Sequence, residues 1–255
     1  HLSIRRQRQM CIRDRRYGLA VPGGVVSETG IAGLTLGGGV GWLRNKYGLT
    51  IDNLLSVEVV TADGQVLTAN ASEHSELFWA LRGGGGAFGV VTTFEYRLRD
   101  VGPDVMFALV MYSGDEAQHV METFRDYVAD APDEVSALAS LGYFPADAAF
   151  PEDAHGKPAA IILACYAGDP SDGTRVLQPL REISTPVVDF SGTMPFVEVQ
   201  TVFDEDYPAG EMRYYWKSTY LDALSDDAIA VCIQQARMTP SSLSTIDFWH
   251  MGGAI

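Results

Sequence analysis

Cysteine is nearly absent from this 255-residue sequence: Cys11, Cys165 and Cys232 lie far apart and form no C-x-x-C pair. A disulfide framework and a zinc site both need closely spaced thiols, so neither organises the chain and no metal is expected. No apolar run reaches the eighteen or so residues that span a bilayer, which predicts a chain in solution, placed in the cytoplasm, with no membrane partner. Positive charge is scarce as well. Lys and Arg number 18 against 33 Asp and Glu, for a formal net charge of −15. Nucleic-acid binders carry a basic patch that displaces phosphate counterions, and the body of this chain has none, so nucleic acid is excluded as a partner. There is no G-x-x-x-x-G-K-[ST] loop and no repeat of 20 to 50 residues.

The little positive charge present is unevenly placed. Arg5, Arg6, Arg8, Arg13, Arg15 and Arg16 all precede Tyr17, without the apolar stretch of a signal peptide. Met10-Cys11-Ile12-Arg13-Asp14 resembles the translation of a transposon end used in sequencing-library adapters, so residues 1–16 are read as a non-native extension outside the fold.

What the chain has in abundance is glycine, concentrated early: 16 of its 26 glycines lie between Gly18 and Gly89. The stretch from Gly23 to Trp42 sets them among β-branched and apolar residues. Without a Cβ, glycine lets a ligand approach the main chain, and successive N–H groups in tight turns form a concave anion site. A phosphate or pyrophosphate is the natural guest. A glycine-rich turn that merely permits close packing is the alternative. A second cluster, Gly83 to Gly89, follows about forty residues later, and two such loops point to one elongated ligand. Gly84 to Gly89 formally satisfies G-x-G-x-x-G, but the dinucleotide fingerprint follows a strand and opens a helix. Here a helix precedes and a strand follows, so the Rossmann reading is rejected.

Elsewhere, Val57 to Leu67 reads as a hairpin turned at Asp63-Gly64. Glu76 to Arg82 reads as a helix capped by Ser72 or Ser75 and ended by Gly83, and Phe88 to Leu98 as a strand with Val90, Thr92, Phe94, Tyr96 and Leu98 on one face. Gly102-Pro103 marks a boundary. Beyond it, Ser113 opens a capping-box helix running to about Ala129, Ile161 to Ala167 is a strand, and Ser225 caps a second helix. Tyr214, Tyr215 and Trp216 read as a strand, one face core and the other substrate cavity. Helices and strands are interspersed, which gives an α+β class. His74, His119, His155 and His250 have no partner at metal or triad spacing. Asp204-Glu205-Asp206 reads as a solvated loop, and Asp226-Asp227 as a helix start.

Thr29 to Leu43, Lys46 to Leu54 and Leu77 to Thr92 together resemble the FAD-binding domain of berberine-bridge-enzyme-like flavin oxidases, in the vanillyl-alcohol oxidase and p-cresol methylhydroxylase (PCMH) superfamily. The resemblance implies a PCMH-type FAD-binding domain, here its second subdomain, over residues 17–100. An antiparallel-sheet substrate domain with helices would follow over residues 101–255. It implies FAD as cofactor, a small-molecule substrate (an alcohol, sugar or secondary metabolite) and O2 as electron acceptor. Thr29, Gly30, Gly33, Gly37, Gly38, Gly39, Gly41 and Trp42 would line the cofactor. Asn53 and the backbone of Val90 and Val91 would lie toward its adenosine half. Some members attach the flavin through a cysteine where this chain has Val26, so that bond is not expected here. The other attachment point, a histidine, would precede Tyr17, and family segments that carry catalytic side chains would follow Ile255. The chain is therefore expected to be the middle of a longer enzyme and inactive alone, with no catalytic base to name. A non-catalytic nucleotide-binding protein and a flavin dehydrogenase using another acceptor remain the alternatives.

Overall fold

The computed structural model describes residues 17–208 and 210–255; the arginine-rich extension lies outside them. In chain order the elements begin with β1 (Leu19–Ala20), α1 (Ile31–Leu36), α2 (Arg44–Tyr47), a 3-10 turn (Thr50–Asn53), β2 (Leu54–Val60) and β3 (Val66–Asn70). They continue with α3 (Ser75–Gly84), a second 3-10 turn (Gly85–Phe88), β4 (Val90–Tyr96), β5 (Arg99–Asp100), β6 (Asp104–Ser113), α4 (Ala117–Ala129), β7 (Val135–Tyr143) and β8 (Pro158–Tyr166). Last come α5 (Pro170–Arg181), β9 (Val188–Asp189), β10 (Gly192–Pro195), α6 (Phe196–Val199), α7 (Asp226–Ala236) and β11 (Ile246–Trp249). Helices mix with antiparallel sheets, so the α+β class holds.

The chain divides into two compact units, and they are interleaved in sequence. Among the described residues, the first takes those of 17–105, 194–212 and 251–255, and the second those of 106–193 and 213–250. Two consecutive pieces meeting at Gly102-Pro103 would leave out the two returning segments.

In the first unit, β3-β2-β4 form an antiparallel sheet. The β2–β3 hairpin pairs Val60 with Val66 and turns through Asp63-Gly64, with Gly64 at φ +82. Leu36 of α1 and Phe78 and Leu81 of α3 pack on Leu54, Val57, Val59 and Ala69 to form the core. Strand β4 departs from strict alternation. Its register with β2 shifts between Glu58/Thr93 and Val59/Val91, a bulge at Thr92. The Thr92 hydroxyl donates to Glu58 there, at 2.5 Å from its carboxylate. The extra residue flips the facing pattern, so Val91, Phe94 and Tyr96 turn to the core while Val90 is 69% exposed.

Helix α3 starts differently from its expected cap. His74 holds the N-cap position at φ +46, and the Asn70 side chain accepts from the N–H of Ser72 and Glu73. That Asx turn sets the approach, and Ser75 becomes the first helical residue. Gly83, at φ +109, breaks the helix as expected.

The second unit is built on a sheet ordered β10-β6-β8-β7-β11, with β9 also paired to β6. Met106, Ala108, Val110 and Tyr112 on β6, Ala137 and Ala139 on β7, and Ile162 and Ala164 on β8 share the core with α4, α5 and α7. The capping box is only half formed. Ser113 accepts from the Asp115 N–H at 3.3 Å over a 3-10 turn, but the Glu116 carboxylate takes the Ser184 hydroxyl at 2.6 Å instead of closing back on Ser113. Ser225 caps α7 through the Ala228 N–H at 3.2 Å. Residues 213–224 form no strand, and Tyr215 and Trp216 are exposed, which corrects the strand expected around Tyr214.

Candidate functional site

The two glycine clusters meet. α1 lies against α3 and against the 3-10 turn Gly85–Phe88, so residues 31–36 and 83–88 are neighbours within one unit. α1 is fixed on its inner side by Leu36 in the core. Its Thr35 hydroxyl donates to the Ile31 carbonyl at 2.7 Å and lies 2.7 Å from the Tyr96 hydroxyl. Burial pushes the Tyr96 phenol up to about 12, so it stays neutral and bonded. On the outer side the glycines are bare: Gly33, Gly37, Gly84 and Gly86 are exposed. A Cβ placed on Gly33 or Gly86 would meet nothing within 4 Å. The result is a lane of exposed main chain, open at Gly33 and Gly86, with the Phe88 ring lying against Gly84. The first helical bond of α1 runs from the Leu34 N–H to the Gly30 carbonyl, so the amides of Ile31, Ala32 and Gly33 have no acceptor within the helix. Main-chain N–H groups presented in this way are donors available to an anionic group.

Nine of the eleven residues singled out in the sequence fall into two layers. Thr29, Gly30, Gly33 and Gly37 are exposed or half-buried, while Gly38, Gly39, Gly41, Trp42 and Asn53 are buried. The inner layer holds the lane in place. Gly38 and Gly39 give their carbonyls to the N–H groups of Ile51 and Thr50, each at 2.9 Å. Gly41 is pressed so closely on the preceding loop that a Cβ would lie 1.7 Å from the Gly23 carbonyl oxygen. Trp42 is fully buried and stacks on Phe203, with centroids 5.8 Å apart. Asn53 spends its amide on architecture: it donates to the Tyr47 and Leu49 carbonyls and accepts from Arg99 Nε at 2.7 Å. Val90 and Val91 stand at the far end of β2 from Asn53, because Val60 pairs with Val90 and Leu54 with Tyr96. Seven strand residues cover roughly 20 Å, too far for one nucleoside to touch both ends.

Three contributors escaped the sequence reading. Arg44 is completely buried, and its guanidinium donates to the Gly41 carbonyl at 3.0 Å. Asp204 accepts from both the N–H and the hydroxyl of Ser27, which is 1% exposed, so Asp204 is an anchor and not a solvated loop residue. Its neighbour Asp206 is held above the ordinary carboxylate range by burial and then by Glu205. Asn45 receives the Gly252 and Ala254 N–H groups, docking the segment 251–255 onto the first unit. Asp204 lies 177 residues from Ser27 and Asn45 207 from Gly252, so neither pair leaves a local signal.

The histidines serve structure where their partners are visible. His74 meets the Thr68 carbonyl, His119 the Ile183 carbonyl, and His155 the Asp147 and Phe150 carbonyls. Asp226-Asp227 opens α7, where Asp226 pairs with Arg125. Among the described residues no group of three or more His, Cys, Asp or Glu could hold a metal ion, and no helix is long and apolar enough to cross a membrane. In the second unit Asp247 on β11 faces Ser140, whose hydroxyl donates to it at 2.6 Å. Burial raises its carboxyl, against the lowering by Ser140 and Thr245.

Comparison with known proteins finds relatives by sequence and by fold. Residues 10–70 match the model of an FAD binding domain. An FAD-linked oxidoreductase of Dictyostelium discoideum is 30% identical over 94% of this chain, which spans 50% of that relative. A carbohydrate oxidase of Microdochium nivale, solved with a substrate analogue, superposes with a TM-score of 0.74 at 25% identity, covering 97% of this chain and 53% of its own. A berberine-bridge-enzyme-like protein of Physcomitrella patens shares the fold, with a TM-score of 0.78 at 22% identity over 98% of this chain and 54% of its own. By sequence the chain is similar to FAD-linked oxidoreductases, spanning about half the length of the curated relatives it matches, and the domain type matched by residues 10–70 takes FAD as its cofactor.

Proposed function

We propose that this chain forms part of an FAD-dependent oxidase, in which the lane between α1 and the turn after α3 carries the diphosphate bridge. The observation that supports this most directly is the meeting of the two glycine clusters, with open space over Gly33 and Gly86. Gly30, Gly33 and Gly37, with the turn at 83–86, are the residues that would touch the cofactor. Gly38, Gly39, Gly41, Trp42 and Asn53 would hold those residues in place from beneath. Val90 and Val91 would contribute backbone at one end of the lane, and Thr29 the approach to α1.

When bound, FAD supplies the acceptor for a hydride taken from a substrate carbon. The residues of this chain bind and orient. Main-chain N–H groups would meet the diphosphate where a strongly acidic protein offers few cations, while the buried Arg44 donates to the Gly41 carbonyl. The substrate is read as a small molecule of the alcohol, sugar or secondary-metabolite class, with O2 as terminal acceptor. No residue of this chain is assigned as the base.

The decisive test is Gly33→Ala in the protein expressed from its complete reading frame. The added methyl meets nothing in the protein, and alanine favours a helix over glycine by about 1 kcal/mol, so the cofactor-free protein should be as stable or slightly more so. FAD affinity should fall about ten-fold or more if the diphosphate crosses Gly33. Unchanged FAD affinity would remove the lane as the binding site. Peroxide formation in air, with substrate present, separates an oxidase from a dehydrogenase that uses another acceptor, and flavin reduction without air separates both from a mere binder.

A further inference from the structure

We infer that Asp204 is a positioning residue for the cofactor loop, working with Phe203 as a clasp on the glycine-rich segment from a distant part of the chain. The inference rests on the proposed FAD site and adds to it a residue that no part of that reading requires. The clasp grips at two points that flank the lane. Before it, the Ser27 N–H donates to Asp204 Oδ1 at 2.8 Å and the Ser27 hydroxyl donates to Oδ2. After it, the Trp42 ring stacks on Phe203 with an interplanar angle of 17°. Tyr207 meets the Phe203 ring edge-on at 6.4 Å, supporting it from behind.

The chemistry of the grip is specific. A carboxylate is the side chain that accepts from an N–H and an O–H at once through two separate oxygens, and charge strengthens both bonds. The clasp residue is itself held. Asp204 donates its N–H to the Thr201 carbonyl at 3.0 Å, and Thr201 to that of Glu198 at 2.9 Å, so consecutive turns after α6 aim the carboxylate. Ser27 lies in the loop that continues from Gly23 and Gly24, the backbone against which Gly41 is pressed. Fixing Ser27 therefore fixes the approach to α1 and the seat of Gly41 together.

The test uses the protein expressed from its complete reading frame, with three variants: Asp204→Ala, Asp204→Asn and Ser27→Ala. Two readouts are taken, FAD affinity from the quenching of flavin fluorescence and amide hydrogen exchange at residues 24–30 without FAD. A positioning role predicts that Asp204→Ala weakens FAD about ten-fold and speeds exchange across residues 24–30. Asp204→Asn can still accept the N–H and meet the hydroxyl, and should lie within about threefold of the parent. Ser27→Ala should fall between the two. If Asp204→Ala fails to fold, the Ser27→Ala and Asp204→Asn pair decides by the same ordering. Variants that melt earlier yet bind FAD with parental affinity, with exchange at 24–30 unchanged, overturn the clasp while the FAD site stands. A parent protein that binds no FAD, but whose variants speed exchange at 24–30, overturns the proposed function and leaves the clasp.

Discussion

At the residue scale, glycines of one segment have opposite jobs. Gly33 borders open space, whereas Gly41 leaves space for the protein's own Gly23. Substitution separates them. Gly41→Ala would drive a methyl into backbone, and the expected outcome is a loss of about 2–4 kcal/mol or failure to fold, read by denaturant unfolding. Gly33→Ala costs no stability. Asp247 offers a second prediction. Its carboxyl is raised in the native state by burial, so the fold binds its proton more tightly than the unfolded chain does. The contribution of that group is greatest below the ordinary carboxylate value of 3.8 and is lost as pH rises past it. Asp247→Asn should therefore be more stable than the parent at neutral pH, with the gap closing in acid. Parallel melting curves of the two proteins from acid to neutral pH check it.

At the scale of elements, the sequence was legible where local chemistry decides and silent where distant partners do. The Asp63-Gly64 hairpin, the break at Gly83, the end of α4 at Ala129 and the Ser225 cap are each determined within a few residues. Ser225→Ala should cost about 1 kcal/mol in urea unfolding of the second unit, since the Ala228 N–H in the first turn loses its acceptor. The face of β4 was misread because a bulge has no signature in an alternating pattern; only the pairing of Thr92 with Glu58 reveals it. The cap of α3 passed to an Asx turn at Asn70 for the same reason that Ser72 and Ser75 looked suitable: short polar side chains crowd that loop. The aromatic run at Tyr214 has strand-like composition, yet it pairs with nothing as a strand. For the candidate site, the glycine clusters themselves were visible, and so was the meeting of the two. Asp204 and Arg44 were not, because a solitary acid or arginine in sequence carries no mark of where its partner lies.

At the scale of the whole molecule, both units bury tyrosine hydroxyls. Tyr96 in the first and Tyr112 and Tyr127 in the second are each pushed from 10.0 to about 12, with burial the leading cause in each case. The native protein keeps these protons where the unfolded chain sheds them. Their contribution is complete below pH 10 and declines as pH climbs toward 12. Alkaline titration should therefore show delayed phenolate absorbance followed by a cooperative rise as the fold gives way, in contrast to the gradual curve of the denatured chain.

The return of residues 194–212 to the first unit also bears on how the molecule is made. Ser27 leaves the ribosome long before Asp204 exists, and 177 residues separate them. At typical synthesis rates of about 5–20 residues per second the interval is roughly 9 to 35 s. Throughout that time the nascent glycine loop lacks its carboxylate, so the amino-terminal unit finishes folding only after the strands of its companion have been translated. Short nascent chains halted before residue 204 should accordingly be cut by protease near Ser27, and chains extended past residue 212 and clear of the exit tunnel should resist.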